Sequence, residues 1–240
     1  MNVPHGACRV LLAVTWFSSL ASVPAPLALG QFEGIVESNN VTTDETGTKQ
    51  TFTMSLYIRK DMVKVRNSAI GSSPASTMIY RNDRHVIWML NEVDKSYFEI
   101  AQNQKAEEIH PPSGGAGDAY KVRRTGKKRK ILGYSCEQIF FKRDVEETEI
   151  WGTTALGHLS RALSRALGEE HAESADGWAN ELLKMGIFPL ISATKIEGSL
   201  AESQEITLIE KKTLPEELFL LPAGYRKQKV GEMLEGMEQK

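Results

Sequence analysis

"QTFTMSLYIRK", residues 50 to 60, alternates without a slip. Phe52, Met54, Leu56 and Ile58 take one parity, and Thr51, Thr53, Ser55, Tyr57 and Arg59 take the other. Successive side chains of an extended chain point to opposite faces, so this period of two predicts a strand with one dry face and one wet face. A dry face needs a cover. The neighbouring stretches carry the same pattern. "MVKVRN" (62–67) follows a turn at Lys60–Asp61, "STMIYR" (76–81) and "RHVIWML" (84–90) read as a hairpin about Asn82–Asp83, and "SYFEIAQ" (96–102) follows a turn within "NEVDKS". Val86 to Leu90 is apolar on both parities, which predicts a strand covered on both sides.

"HPPSGGAGD" (110–118) has no periodicity and combines a Pro pair with three glycines. It reads as a long connection within one domain, with a domain boundary as the alternative, because strand patterns resume beyond it. "AYKVRRTGKKRKILGYSC" is expected to run strand, turn at Thr125–Gly126, strand, and "YSCEQIFFKR" pairs with "EETEIWGT" about Asp144. Only between Trp151 and Pro189 does the period lengthen. Leu156, Leu159, Leu163, Ala166 and Leu167 recur at three and four residues, an amphipathic helix ending near Gly168. Asp176 is placed to cap a second helix carrying Trp178, Leu182, Leu183 and Met185, stopped by Gly186. Strands return in "PLISATKIEG" and "ESQEITLIEKK", and "LPEELFLLPAGY" closes the domain before a polar tail at 227–240. The expectation is a mainly β, α+β fold: one domain over residues 31–226, a curved antiparallel sheet with a helical cover at 154–186.

The first thirty residues read differently. Arg9 precedes a mostly apolar run from Val10 to Val23, then Pro24, Pro26 and Ala28-Leu29-Gly30, the order of a secretory signal. Cleavage is expected before Gln31, giving a soluble periplasmic or secreted protein; a lipoprotein would carry Cys at that position. Arg9 is the one basic residue among the 29 that leaves with this segment, so 28 basic face 31 acidic residues, a net charge of −3. That balance excludes a globally basic nucleic-acid binder.

Chemistry-bearing motifs are scarce. Cys136, the one cysteine after the leader, shares a strand face with Tyr134 and Phe140, while Ser135, Glu137 and Ile139 point the other way. A thiol there is a small core side chain; reactivity needs nearby positive charge, a helix N-terminus or a metal. His85, His110, His158 and His171 form no ligand pair, and Glu169, Glu170 and His171 read as a solvated helix end. No Gly-x-Ser-x-Gly elbow, phosphate-binding loop or dinucleotide fingerprint occurs. The expectation is a protein that is not an enzyme, with no catalytic residue, no metal and no cofactor.

Two features point to binding. "RRTGKKRK" gathers Arg123, Arg124, Lys127, Lys128, Arg129 and Lys130, with Arg161 and Arg165 as further cations. It is either a solvated hairpin whose charge keeps an edge from pairing, or a surface attracted to anionic phospholipid, lipopolysaccharide or acidic polymer. The dry face, under its helices, is either an ordinary filled core or a cavity for an apolar ligand, lined by Phe52, Met54, Leu56, Ile58, Trp88 and Phe140.

The order of "FEGIV", "MSLYIRKDMVKVR", "ILGYSCEQ", "ETEIWGT", "FPL" and "LPAGY" resembles an exported bacterial domain-of-unknown-function family of the DUF4412 type, grouped by fold with the periplasmic lipoprotein carriers and their outer-membrane receptors. Gly133-Tyr134-Ser135-Cys136 and Pro222-Ala223-Gly224-Tyr225 match its two short signatures. The resemblance implies an open antiparallel half-barrel with an α-helical lid, whose inner face holds acyl chains or other apolar groups; it implies no catalytic residues. The functional expectation is a non-enzymatic periplasmic binding or carrier protein for a lipid or lipid-modified polypeptide, in peripheral contact with anionic membrane. The alternative is a cell-envelope protein–protein interaction module with a filled core.

Overall fold

The computed structural model describes residues 32–44, 46–71, 73–102, 120–167 and 178–228, with side chains described to residue 163 in the first helix. The expected leader, the 110–118 connection, the helix end at Gly168, the Asp176 cap, His110, Glu169 to His171 and residues 229–240 lie outside them.

The segments expected as strands form β2 (Lys49–Arg59), β3 (Met62–Asn67), β4 (Ser76–Arg81), β5 (Val86–Asn91) and β6 (Ser96–Ala101), and with β1 (Gly34–Thr43) ahead of them they make one meander. A second contains β7 (Lys121–Ile131), β8 (Tyr134–Arg143), β9 (Glu146–Thr153), β10 (Phe188–Ile196) and β11 (Ser199–Lys211). The two are stitched by antiparallel pairing of β1 with β11, from Gly34 opposite Lys211 to Thr42 opposite Glu202. With a two-residue β12 (Arg226–Lys227) laid parallel on β6, the result is one open sheet in the order β12-β6-β5-β4-β3-β2-β1-β11-β10-β9-β8-β7.

Turn chemistry sets the hairpins. Leu132–Gly133 and Glu197–Gly198 both hold positive φ, the two-residue conformation that suits strand twist. The expected turn at Thr125–Gly126 does not exist: β7 runs unbroken through it as a bulge, and the reversal comes at Leu132–Gly133. Gly126 takes φ +74 there. The Thr125 hydroxyl lies 3.0 Å from Oε1 and 3.3 Å from the carbonyl of Gln138, which keeps the chain on the sheet while it loops. Pro189, which has no N–H to give, sits at another bulge, where β10 shifts register against β9.

Cα partners share a face. Register therefore carries Phe52 to Asn40, Gln204, Ser192, Ile150 and Ile139 across six strands. Helices α1 (Gly157–Leu167) and α2 (Trp178–Lys184) cover this face. Leu159 and Ala162 of α1 pack with Val36, Ile58, Val63, Val65 and Ile206. Leu182 of α2 packs with Ile139, Phe141 and Ile150. A Cβ on Gly157 would strike the Gly186 carbonyl, so glycine is what lets α1 begin against the backbone that ends α2.

The opposite face has its own cover. Ile35, Met62, Ile79, Trp88 and Leu90 lie beneath Leu214 and Phe219, with Leu218, Leu221 and Tyr225 alongside. As expected, β5 is thus buried on both sides, with Ile87 at 7% and Trp88 at 5% exposure. Polar contacts tie this C-terminal belt down along its length. Leu214 N–H donates to Glu33 Oε1 at 2.8 Å. Arg81, itself 1% exposed, donates from Nη1 to the Phe219 carbonyl at 3.1 Å and forks Nε and Nη2 onto Asp83 at 2.8 and 2.6 Å. Lys227 reaches Glu99 at 2.6 Å, the same carboxylate that accepts the Trp88 indole N–H at 2.9 Å.

Phe219→Ala empties the centre of the belt and is expected to cost about 3–5 kcal/mol, read as a lower urea midpoint with little change in slope. Hydrogen bonding from Arg81 holds the Asp83 carboxyl below its ordinary value of 3.8. A depressed carboxyl stabilises the fold above the unfolded value and loses that contribution as pH falls through the folded one. Asp83→Asn is therefore expected to lower the thermal midpoint at neutral pH, with the gap to the parent protein closing below about pH 4.

Candidate functional site

Of the residues expected to line an apolar cavity, four belong together. Phe52, Met54, Leu56 and Ile58 lie on the helix-covered face of β2; Ile58 is fully buried, and Met54 and Leu56 pack against the cluster that includes α1. Phe52 is half-buried at the end of this row, opposite Asn40. Trp88 and Phe140 are on the other side of the sheet, and the expectation that they line the same cavity is corrected. Trp88 faces the C-terminal belt, with the Arg81 and Arg84 guanidinium carbons 5.8 and 5.9 Å from its ring centre. Phe140 has parity opposite to Ile139 and lies under Arg123 at 4.4 Å.

The basic stretch is not a hairpin tip. It is the outer strand of the sheet, and the pleat divides its charges. Arg123 and Arg129 turn to the Phe140 side of the sheet, where they sit over Phe140 and, at 4.1 Å, over Trp151, which packs on the core cluster that includes α1. Such guanidinium–ring contacts occupy the cation without neutralising it. Arg124, Lys128 and Lys130 point to the Ile139 side, the one α2 packs on, and Lys127 stands in the bulge. Arg124 forks onto Glu137, with Nε to Oε1 at 2.9 Å and Nη2 to Oε2 at 2.5 Å. Its guanidinium holds the Glu137 carboxyl below the usual range, and the Lys128 charge adds to the effect.

Beside this pair lies a cavity of about 230 Å³ lined by Arg124, Lys128, Ser135, Cys136, Glu137, Gly152, Thr153, Thr154 and Ile187. β7 and β8 supply one wall, and the turn leading into α1 supplies the other. Thr153 Oγ1 accepts the Ala155 N–H at 3.3 Å, which fixes that turn. Gly152 leaves room for Ile187, whose Cγ2 lies 2.5 Å from where a Cβ would stand. Sequence reasoning found Arg124 and Lys128 here and missed Glu137, Ser135, Thr153 and Thr154. The one signal in the sequence was Gly126 between two runs of cations, which suits a bulge as well as a turn.

Cys136 is in the core, 1% exposed, its thiol donating to the Tyr134 carbonyl at 3.6 Å. Burial raises its pKa, which suppresses the thiolate. Among the described residues no group of three or more His, Cys, Asp and Glu converges as metal ligands do.

The family model described as "Domain of unknown function (DUF4412)" matches residues 32–225. The chain belongs to the DUF4412 family. Its signature residues have structural roles: Gly133 completes the β7–β8 turn at φ +82, Cys136 enters the core, Gly224 turns at φ +84, and Tyr225 packs on the belt cluster. No curated protein matches the chain. Among solved structures it is similar to an uncharacterized conserved protein from Thermus thermophilus, at 10% identity and TM-score 0.45, over 82% of this chain and 91% of that one. It is also similar to MucB, at 13% identity and TM-score 0.40, over 80% of this chain and 58% of that one. PNGF-II is similar at 13% identity and TM-score 0.38, over 84% of this chain but 32% of its own length. Likenesses at these scores assign neither a fold nor a function to this chain.

A buried, protonated thiol reacts slowly. Native protein at pH 8 is expected to label at Cys136 with a thiol reagent at least about a hundredfold more slowly than in denaturant, since labelling then waits on opening. Equal rates would return Cys136 to the list of reactive groups.

Proposed function

We propose that the protein is a non-enzymatic binding or carrier protein of the cell envelope for a lipid or lipid-modified polypeptide, exported by its N-terminal segment. The sheet would close as an open half-barrel of the lipoprotein-carrier kind, with α1 and α2 as its lid. One observation supports this reading above the others. The apolar row of β2 and β3 is roofed by α1, and the apolar side chains of β8 and β9 by α2, helices with 11 and 7 described residues. Helices so short are marginal by themselves and hold their shape through the apolar contact they make. An acyl chain offers the sheet the same kind of contact and can take the place of the roof. The cations of β7 stand at the edge of this face, where an anionic membrane or headgroup would meet them.

A second reading has its own observation. Leu156, Leu159, Ala162 and Leu182 are 0–2% exposed, which is the packing of a filled core. A filled core favours an envelope protein–protein interaction module without a small-molecule ligand.

Native mass spectrometry separates them. Protein purified from a bacterial periplasm without detergent is expected to carry a discrete lipid mass, identified after solvent extraction. A clean apo mass, with no uptake of added phospholipid or fatty acid, would replace the carrier reading with the interaction module.

A further inference from the structure

The bulge in β7 does more than bend an edge. Arg124 pairs with Ile139 and Lys128 with Glu137, so Thr125, Gly126 and Lys127 together stand opposite Gln138 alone. Two extra residues are absorbed there. Arg124 and Lys128, four apart in sequence, thereby occupy consecutive positions on one strand face, roughly 7 Å apart as alternate strand residues are. A regular strand would have sent Lys128 one pair further along, opposite Ser135 and away from Glu137. Both cations line the cavity between β7–β8 and the turn into α1.

The donor balance of that cavity is lopsided. Glu137 is its one acidic side chain and engages two of the five N–H groups of Arg124. The remaining guanidinium donors, the three of Lys128 and the hydroxyls of Ser135, Thr153 and Thr154 have one carboxylate among them. Two cations against one anion leave an excess positive charge. The donors come from two directions, the strand pair on one side and the turn on the other, which suits an acceptor with oxygens on several sides better than a flat carboxylate. We propose that this cavity binds a phosphate-type oxyanion, an ion or a phosphate ester, between Arg124 and Lys128, with Glu137 positioning the Arg124 fork and Ser135, Thr153 and Thr154 supplying hydroxyl donors. The site goes beyond the carrier reading and does not require it.

The test uses the mature chain and inorganic phosphate, titrated at low ionic strength by calorimetry. Saturable one-to-one binding is expected, weakened about tenfold or more in Lys128→Gln, the loss of a charge-assisted hydrogen bond. Lys130→Gln, on the same strand face but outside the cavity lining, is expected to change it by less than about twofold, as screening of an exposed charge allows. No saturable binding, or equal weakening by the two variants, would overturn the site in favour of diffuse surface charge. Vesicles of phosphatidylglycerol distinguish the sources of the phosphate. Vesicle binding that free phosphate displaces and Lys128→Gln abolishes identifies a lipid headgroup; phosphate binding with no vesicle binding identifies a soluble ion or ester. Protein with no co-purifying lipid still binds phosphate if the site is real, so the two readings fail separately.

Discussion

The pairing of β1 with β11 makes one sheet out of two meanders, and the rest of the structure depends on its register. Nine residues of β1 find partners, with Thr207 pushed out opposite the Glu37–Ser38 step. A one-residue slip would reverse every side chain of one meander relative to the other. Two devices hold the alignment. Gly34 lies so close to the Glu210 carbonyl that no Cβ fits there. Further along, Gln204 Nε2 donates to Asn40 Oδ1 at 3.0 Å, and Asn40 Nδ2 donates to Ser38 Oγ at 3.0 Å. Asn40 and Ser38 are buried, so a shifted register would strand polar groups away from water, where an unmade hydrogen bond is costly.

Given that seam, the two faces are covered by different means. Helices that follow β9 roof one side, and an irregular belt after β11 closes the other. The belt depends on polar anchors because so little of it is regular: a 3₁₀ turn at Glu216–Phe219 and the two residues of β12. Its central anchor is a guanidinium removed from water, satisfied by a carbonyl from the belt and a carboxylate from its own hairpin. Such a group gives less net stability than apolar packing, yet it becomes strongly destabilising when a partner is lost. Arg81 therefore specifies where the belt lies more than it strengthens the fold.

Much of this architecture was legible in the residues themselves. Alternation located β2, β3, β8 and β9, and a change of period located both helices. The apolar run at Val86 to Leu90 announced a strand with two dry faces, which the belt and the helix side explain. Parity within a strand also put Cys136 in the core. Parity between strands was not legible. Trp88 sits in a run that is apolar on both parities, and Phe140 stands between Ile139 and Phe141, so neither run says which side faces the helices. Only the register, traced through the seam, decides it. Thr125-Gly126 failed for a related reason: Gly supplies positive φ equally to a turn and to a bulge, and the Thr125–Gln138 contacts that choose between them join residues 13 apart. The cavity was hidden for the same cause, since its walls come from β7, β8 and the turn into α1.

The belt also has a consequence for the order in which the chain becomes a folded molecule. A polypeptide emerging N-terminus first can assemble β1 to β6 from local hairpins, but Met62, Ile79, Trp88 and Leu90 then lie bare until residues 214–225 arrive, and Arg81 waits for the Phe219 carbonyl. The seam is equally late, because Gly34 has no partner before Lys211 is made. Contacts so distant in sequence make for slow folding. A chain that cannot complete its sheet until its last strands appear carries a half-built sheet with bare apolar faces through most of its synthesis.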